Sequence, residues 1–484
     1  MVKVRLVIAS FNLENYLSQA VHILKKYALQ EALVESHFAI DAIDLKISDS
    51  DSSVLSKLSK YQVVCFSVYL WNSEKIASIV GKLKGSRTIV LGGPEITNNL
   101  EYYKGLKAFT GCIFITGGGG EAFAEALSDL VAGKTRDVYG SSPVDGALPV
   151  VYGSADFLRH SAAHVRSRGE KVKLIFSTST GCVYRCAYCT WGGKKLVFFP
   201  DKYVHGELRS LLRNPHISLL YIADSDMCMN KARAVSILRT LNRYSRRSAA
   251  EFIYMEFNPA SLNEDVVELL ERNDKIIGSF GLQTSDQGVM RGISRHVDLE
   301  KYRRSISLFR KTGKPLCFDI ILGLPGDTTE TFLGTLDFAL SLGASYLNIF
   351  PLYVLPGSEL HRRARELGLR YSPEPPYKLR SSASMSSLKD MEKISVWLQI
   401  ILCFESVTKE LNSIPARRRI DVYVKFIRFL LRDRSLASLR MSLDYRDQTD
   451  ISRFYTAKFE SRLLKKLEKF SVSMLGPRVP SPGG

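Results

Sequence analysis

The sequence has no long apolar segment and no recognisable leader pattern. No run approaches the roughly 18 uninterrupted apolar residues that a membrane span requires. The opening VKVRLVIAS reads as a strand and not as a charged, apolar and small-residue secretion signal. We therefore predict a cytoplasmic protein that makes no membrane contact.

Cysteine is scarce, with eight residues in a chain of 484. Five of them lie far apart, mostly within apolar runs: Cys65, Cys112, Cys228, Cys317 and Cys403. A free thiol in such a place behaves as a small buried hydrophobe. This distribution argues against a disulfide framework and agrees with a reducing compartment.

The sequence also lacks the motifs of nucleic-acid-binding modules. No RNP-type aromatic motif and no paired C-x₂-C finger occurs, although the net charge is +18. The region from 401 to the end contributes 17 basic and 9 acidic residues. These basic residues alternate with Leu, Ile and Phe at helical spacing, which indicates solvated helix faces. We do not expect a nucleic-acid partner, and an RNA-binding metal protein stays as a remote alternative.

The first third of the chain alternates short strand patterns with amphipathic helical patterns. The strand candidates are VRLVIAS, FAIDAIDLK, VVCFSVYLW, TIVLGGPE and CIFITGG. This alternation predicts a doubly wound α/β (Rossmann-like) domain over residues 1–140. The following stretch, beginning YGSSPVDGALPVVYG, is rich in Gly, Pro, Ser and Asp and predicts a linker over 141–170.

Six further strand candidates separated by helical patterns follow the linker. They are KLIFSTST, SLLYIADS, EFIYMEFN, IGSFGLQT, LCFDIILG and YLNIFPLY. Six β/α units predict a partial (β/α)₆ barrel over 171–372. Beyond it the patterns become long and amphipathic, which predicts a helical C-terminal region over 373–484.

The other three cysteines lie close together in Gly181-Cys-Val-Tyr-Arg-Cys-Ala-Tyr-Cys-Thr190, on the loop after the first barrel strand. Barrels of this kind carry their chemistry at that end of the strands. Structural zinc normally takes four protein ligands, and His160, His164 and His205 are isolated in sequence. A [4Fe-4S] cluster held by three thiolates would keep one iron open for a substrate or cofactor, and we favour this interpretation over zinc.

The C-x₃-C-x₂-C spacing, with an aromatic residue before the last cysteine, resembles the signature of radical S-adenosylmethionine (SAM) enzymes. The resemblance implies that Cys182, Cys186 and Cys189 are the cluster ligands and that Tyr188 lies near adenine. An α/β domain before such a barrel is similar to the subfamily with an N-terminal cobalamin (B12)-binding domain. The phrases GLQTSDQGVMRGISR, DIILGLPGDTTETF and IFPLYVLPGSEL resemble the branch with the anaerobic magnesium-protoporphyrin ester cyclase.

Further SAM-binding candidates lie at the ends of the barrel strands. They are Asp224, Asp226, Glu256, Gln283, Arg295 and Gly323. Acidic residues suit the cofactor's ammonium group, and a glycine permits close approach of a flat ring. The alternative for Gly323 is an ordinary turn. Glu256 and Gln283 could instead be solvated loop residues, and Arg295 could be a plain surface charge. Members of the family often have adjacent acids, whereas Ser225 separates the two aspartates here.

The resemblance also implies cobalamin-binding loops in the first domain. The candidates are Ser67, Tyr69, Trp71, Gly92, Gly93, Pro94, Glu95, Gly118, Gly120 and Glu121. Glycines at the carboxyl edge of a sheet allow a large planar ligand to approach closely. No Asp-x-His-x-x-Gly motif occurs, so we expect no histidine ligand to cobalt. A domain of this fold that has lost its ligand, and a core position for Trp71, are the alternatives.

Together these features predict an enzyme that uses a [4Fe-4S] cluster, SAM and cobalamin. The resemblance implies reductive cleavage of SAM to a 5′-deoxyadenosyl radical and methyl transfer from methylcobalamin to an unactivated carbon. Oxidation, cyclisation or rearrangement without methyl transfer is the alternative. The expected partners are a small-molecule or peptide substrate and an electron donor of the flavodoxin or ferredoxin type.

Overall fold

The protein is described here from a computed structural model. The structure describes residues 3–13, 15–83, 85, 87–141, 148–437, 439, 443 and 454–475. Two parallel β-sheets dominate this part of the chain, and each is flanked by helices. No helix in the described ranges is long and apolar enough to cross a membrane.

The first sheet is six-stranded and entirely parallel. Its strands are β1 (Val4–Asn12), β3 (Phe38–Lys46), β4 (Val63–Ser67), β5 (Thr88–Gly92), β6 (Ile113–Gly117) and β7 (Val138–Ser141). Their order across the sheet is β3-β1-β4-β5-β6-β7. The sequence predicted the first five, and the edge strand β7 was missed because it is short.

Both faces of this sheet are covered, which explains the near-continuous apolar strands. Leu6 and Ile8 pack with the helices Gln19–Ala28 and Gly120–Ala132. Val7 and Ala9 point to the opposite face and pack with residues of two other helices, such as Val54 and Ile76. The doubly wound α/β prediction is therefore confirmed.

The second sheet has seven parallel strands and forms an open barrel. Its strands are β2 (Tyr16–Leu17), β8 (Val172–Phe176), β11 (Ile217–Ile222), β12 (Phe252–Phe257), β13 (Ile276–Gln283), β14 (Cys317–Leu322) and β15 (Tyr346–Pro351). The six predicted barrel strands are confirmed in sequence order. The seventh, β2, comes from the N-terminal domain and pairs with β8, so the two domains share a sheet.

Two short antiparallel pairs complete the strands. They are β9 (Ser179–Thr180) with β10 (Val197–Phe198), and β16 (Leu369–Tyr371) with β17 (Leu379–Ser382). The second pair lies where the helical C-terminal region was predicted to begin. The prediction holds from Leu388 onward, where helices follow one another.

Helices connect the strands and form the C-terminal region. They are Gln19–Ala28, Ala32–His37, Asp51–Leu58, Ser73–Lys82, Pro94–Asn98, Leu100–Gly105, Gly120–Ala132, Ala155–Arg168, Asp201–Arg213, Lys231–Ser245, Glu264–Glu271, Gln287–Gly292, Leu299–Arg310, Thr329–Ser341, Glu359–Arg362, Leu388–Leu402, Glu405–Ser413, Arg419–Leu430, Arg434–Ala437 and Ala457–Leu475. Single 3₁₀ turns span Lys107–Phe109 and Pro259–Ser261.

The C-terminal helices share one hydrophobic core with the barrel. Trp397 is fully buried on the helix Leu388–Leu402, and Gln399 of that helix accepts a hydrogen bond from the backbone N–H of Ile349 on β15. Lys425 and Arg428 are exposed on a helix that buries its other face, as the amphipathic pattern predicted. This hydrophobic core runs from the barrel into the C-terminal helices without a break, so the domain boundary predicted at residue 372 stays a prediction.

The segment predicted as a linker contains the helix Ala155–Arg168. Its polar residues recur every fourth position at Asp156, His160, His164 and Arg168, which places them on one face. That face contacts the N-terminal domain through ion pairs of Asp156 with Lys25 and of Arg168 with Asp49. The sequence was taken for a loop because this stripe is polar where a core-facing helix is usually apolar.

Candidate functional site

The three clustered cysteines lie on the loop between β9 and β10, at the carboxyl end of the barrel strands. Cys182 is buried, whereas Cys186 and Cys189 are partly exposed. The backbone N–H of Cys182 donates to the carbonyl oxygen of Lys194 (3.3 Å), and Cys182 bridges Gly192. The two ends of the loop are therefore held together.

Glycines allow this loop to close. Gly181 has a φ of +81°, and a Cβ there would lie 2.1 Å from the carbonyl oxygen of Lys195. At Gly192 a Cβ would lie 3.2 Å from the carbonyl oxygen of Tyr184. A side chain at Gly181 would clash with backbone, so this position requires glycine.

The three thiols are near neighbours. Burial raises the pKa of Cys189, and the charges of Cys186 and Cys182 add to that shift. Ligation of a [4Fe-4S] cluster by Cys182, Cys186 and Cys189 stays a prediction.

Arg295 connects the cysteine loop to the barrel. Its Nη1 lies 3.8 Å from the Cys186 sulfur and 3.5 Å from the Tyr188 hydroxyl, while Nη2 donates to the carbonyl oxygen of Gly281 (2.5 Å). Its Nε is buried without a hydrogen-bond partner among the described atoms. Arg295 thus places a partly buried positive charge beside a predicted cluster ligand and is not a plain surface charge.

Asp224 forms hydrogen bonds with the residues that precede the cysteine loop. One carboxylate oxygen accepts from the backbone N–H groups of Thr178 (2.7 Å) and Ser179 (3.0 Å), and the other accepts from the Thr178 hydroxyl. The carboxylate is buried. With these donors already bound, Asp224 is placed to position the loop; its predicted contact with SAM stays a prediction.

Asp226 connects neighbouring strand ends. Its Oδ1 accepts from the backbone N–H groups of Cys228 (3.0 Å) and Asn258 (3.2 Å). Its Oδ2 accepts from the hydroxyl of Ser261 (2.9 Å). Both predicted acids therefore hold loop backbone together after successive strands.

We expect Asp224→Ala to destabilise the protein by about 2–4 kcal/mol, because the buried N–H groups of Thr178 and Ser179 lose their acceptor. Asp224→Asn should cost less than about 1 kcal/mol, since an amide oxygen can still accept from both groups. Urea unfolding of the two variants checks this. A loss equal in both variants would show that the negative charge, and not the acceptor, is what matters.

Glu256, Gln283 and Gly323 end the third, fourth and fifth predicted barrel strands. The Glu256 carboxylate accepts a hydrogen bond from the Tyr221 hydroxyl inside the barrel. Gln283 has a positive φ of 66° at the end of β13. A Cβ at Gly323 would lie 2.6 Å from Leu379, so protein packing already occupies that side, where a flat ligand was predicted.

We expect Glu256→Gln to flatten the pH dependence of stability. Burial, and then the charge of Asp319, raise the pKa of Glu256 to about 7. Because the folded state holds this proton more tightly than the unfolded chain, stability is lost as pH rises toward about 7 and changes little above it. Between about pH 6 and pH 8 the wild type should lose about 1 kcal/mol more than Glu256→Gln. Urea unfolding at the two pH values measures the difference, and equal slopes would contradict it.

A cavity of about 560 Å³ lies between the N-terminal domain and the cysteine loop, which is within the usual range for cofactor-sized pockets. Seven of the predicted cobalamin-binding residues line it: Ser67, Tyr69, Gly92, Gly93, Pro94, Gly118 and Gly120. From the barrel, the lining includes Gly181, Thr190, Trp191 and Lys194, which are neighbours of the cysteines. One cavity therefore extends from the predicted cobalamin-binding loops to residues that flank the three clustered cysteines, although none of those three is among its lining residues.

Backbone approach is close at this edge of the first sheet. Gly93 has a φ of +107°, and a Cβ there would lie 2.6 Å from the carbonyl oxygen of Val68. At Gly120 a Cβ would lie 2.6 Å from the ring of Tyr27. Packing of these loops against the protein itself therefore requires glycine at both positions.

Three predicted cobalamin-binding residues are not among those that line the cavity. The buried Glu95 carboxylate accepts from the hydroxyls of Tyr103 and Tyr377, both at 2.9 Å. Trp71 stacks on Tyr69, with ring centres 4.6 Å apart. Glu121 is exposed. Glu95 thus links the first domain to the segment after the barrel, and Trp71 supports Tyr69 from outside the cavity.

The sequence analysis missed Thr97, which lines the cavity, and Asn72, which bonds the backbone of the cavity-lining Ser67. Thr97 donates to the carbonyl oxygen of Gly93 (3.0 Å) and accepts from the backbone N–H of Gly117 (3.1 Å), so it ties the two glycine loops together. The Asn72 amide donates to the carbonyl oxygens of Phe11 and Ser67, both at 3.1 Å. Their only signal was a polar residue shortly after a strand end, which is common in loops.

One stretch of the chain matches a known protein family. Residues 176–339 match the Radical SAM superfamily. The cobalamin-dependent radical SAM methyltransferase TokK of Streptomyces tokunonensis is 23% identical over 349 residues, which cover 65% of this chain and 50% of TokK. The chain spans about half the length of the curated relatives it matches.

Two solved structures share the fold across most of the chain. The radical SAM methyltransferase TsrM of Kitasatospora setae, with cobalamin and a [4Fe-4S] cluster bound, has a TM-score of 0.60 at 16% identity. The alignment covers 79% of this chain and 84% of TsrM. The cobalamin-dependent radical enzyme OxsB has a TM-score of 0.62 at 12% identity, covering 98% of this chain and 80% of OxsB.

Proposed function

We propose that the chain, whose residues 176–339 match the Radical SAM superfamily, is a cobalamin-dependent radical SAM enzyme that methylates an unactivated carbon. Three groups would be held: a [4Fe-4S] cluster by Cys182, Cys186 and Cys189, SAM beside it, and cobalamin against the glycine loops of the first domain. When bound, they supply reductive cleavage of SAM to a 5′-deoxyadenosyl radical and a transferable methyl group.

The shared cavity is the observation that carries this proposal. Its walls include Gly92 and Gly118 from the first sheet and Gly181 and Thr190 beside the cysteines. A ligand lying on the glycine loops would therefore face the cysteine loop without an intervening wall. That proximity is what methyl transfer to a carbon radical requires, because both partners must meet in one water-poor space.

The residues of this chain would hold and orient the bound groups. Asp224 fixes the strand that leads into the cysteine loop, and Arg295 places a positive charge beside Cys186 and Tyr188. A partly buried cation next to thiolate ligands stabilises negative charge on a cluster. Thr97 fixes the spacing of the two glycine loops.

The substrate we propose is a small molecule or a peptide. The electron donor would be a flavodoxin- or ferredoxin-type protein, and the compartment the cytoplasm. Methylation is favoured over cyclisation by the cavity, because a cyclisation does not need a methyl donor next to the cluster. The resemblance to the ester cyclase branch therefore does not extend to the proposed reaction.

Product analysis after anaerobic reconstitution tests the proposal. The protein is supplied with iron, sulfide, hydroxocobalamin, SAM and a reductant, and iron, cobalt and nucleoside products are measured. We expect cobalt to bind and both S-adenosylhomocysteine and 5′-deoxyadenosine to form. A protein that holds the cluster, binds no cobalt and gives only 5′-deoxyadenosine would replace methyl transfer with a non-methylating radical reaction.

A further inference from the structure

Three side chains with metal-binding atoms converge where the helix Ala155–Arg168 meets the N-terminal domain. They are His22 on the helix Gln19–Ala28, Asp44 on β3 and His160. Their ligand atoms all lie within 4.8 Å of one another, and no other trio of His, Cys, Asp or Glu does so among the described residues. The three residues are far apart in sequence, so the cluster is a product of the fold.

The distances in this cluster are near those of a coordination shell. Oδ2 of Asp44 shares a hydrogen bond with Nε2 of His160 at 2.9 Å and lies 3.5 Å from Nε2 of His22. A tetrahedral zinc ion with bonds of about 2.0–2.2 Å brings its ligands to about 3.3 Å from one another. An ion could therefore enter with small side-chain movements.

The carboxylate is already oriented for one-oxygen binding. Oδ1 of Asp44 accepts from Nδ2 of Asn12 and from the backbone N–H of Ser18, both at 2.7 Å. Oδ2 is left facing the two imidazoles. Hydrogen bonds of this outer kind are how proteins fix the orientation of metal ligands.

One ligand atom makes no hydrogen bond. Nε2 of His22 is buried, and its 3.5 Å contact with Oδ2 of Asp44 is too long for a good hydrogen bond. A buried polar nitrogen without a partner is costly, and a metal ion would satisfy it.

The carboxylate lies in a buried position, and its Oδ2 faces both imidazoles. The side chain of Asp44 is only 1% exposed. The site therefore combines a carboxylate oxygen with two imidazole nitrogens, which are three protein ligands that suit zinc with water in the fourth position.

We propose that His22, Asp44 and His160 bind a divalent transition metal ion, zinc, that fastens the helix Ala155–Arg168 to the N-terminal domain. Ion pairs of Lys25 with Asp156 and of Arg168 with Asp49 lie on the same face of the helix. This helix leads into β8 and the cysteine loop, so the ion would fix the two cofactor-binding parts of the chain relative to each other. The proposal does not depend on the proposed function.

Metal analysis of the untagged full chain, purified anaerobically with its cluster, tests the site. We expect about one zinc per chain in the wild type and at least a tenfold lower content in Asp44→Asn and His160→Gln. His205→Gln is the matched control, because His205 bonds Ser236 and Thr240 elsewhere in the fold. Lys25→Met removes an ion pair at the same interface and should keep the zinc.

Cobalt(II) titration gives a second readout that is independent of activity. It is done on the full chain with Cys182, Cys186 and Cys189 all changed to serine, which removes the thiolates and the iron–sulfur absorbance. We expect saturable one-to-one binding with visible d–d bands, weakened about 100-fold or more by Asp44→Asn. If Asp44→Asn alters the circular dichroism spectrum, His160→Gln decides. No saturable binding in the parent, or equal binding in the folded variants, would overturn the proposal.

Discussion

Replacing Cys186 with alanine is expected to leave the protein without a [4Fe-4S] cluster after anaerobic reconstitution. Two thiolates cannot hold three irons of the cluster, and Cys186 is also the sulfur that Arg295 contacts. Formation of 5′-deoxyadenosine should fall at least about a thousandfold, which corresponds to roughly 4 kcal/mol of activation free energy. Iron and sulfide content, the visible absorbance and the nucleoside yield measure the effect.

Cys403→Ala is the matched control for this experiment. Cys403 is also partly exposed, and its thiol donates to the carbonyl oxygen of Gln399 in the C-terminal region. This variant should keep full iron content and full nucleoside yield. A Cys186→Ala protein that assembles a four-iron cluster and turns over would remove the basis of the whole functional proposal.

The fold was largely predictable because its strands are buried on both faces and so appear as short apolar runs. All five predicted strands of the first sheet and all six of the barrel are present. The missed strand β2 has two residues, and its pairing with β8 depends on how the two domains meet. No local pattern carries that information. The helix Ala155–Arg168 was missed because one of its faces is polar and forms ion pairs with another domain.

The cysteine site was predictable because its ligands are neighbours in sequence and their spacing is a local property. The carboxylates were harder to interpret. Asp224 and Asp226 do lie at the predicted strand ends, yet backbone N–H groups donate to them. Glu95 follows a glycine loop but bonds two tyrosines, one of them beyond the barrel. The sequence shows where a carboxylate lies along the chain, but the hydrogen-bond partners of that carboxylate depend on how the chain packs.

Filling the cavity between the two domains is expected to have the second large effect, which is a loss of bound cobalt. We expect Ala20→Trp to lower the cobalt content of the reconstituted protein at least about tenfold, and S-adenosylhomocysteine formation with it. Ala20 is a partly buried residue of the helix Gln19–Ala28 and lines the cavity. An indole there would occupy space next to the glycine loops, and a rigid protein interior does not expand to make room.

Ala32→Trp is the matched control, because it makes the same change at an exposed position. That variant should keep its cobalt, and both variants should keep their iron because neither touches the cysteine loop. Cobalt and iron are counted together by elemental analysis after gel filtration. If Ala20→Trp binds as much cobalt as the wild type, cobalamin does not occupy this cavity, and the methyl donor proposed for the reaction would have no place beside the cluster.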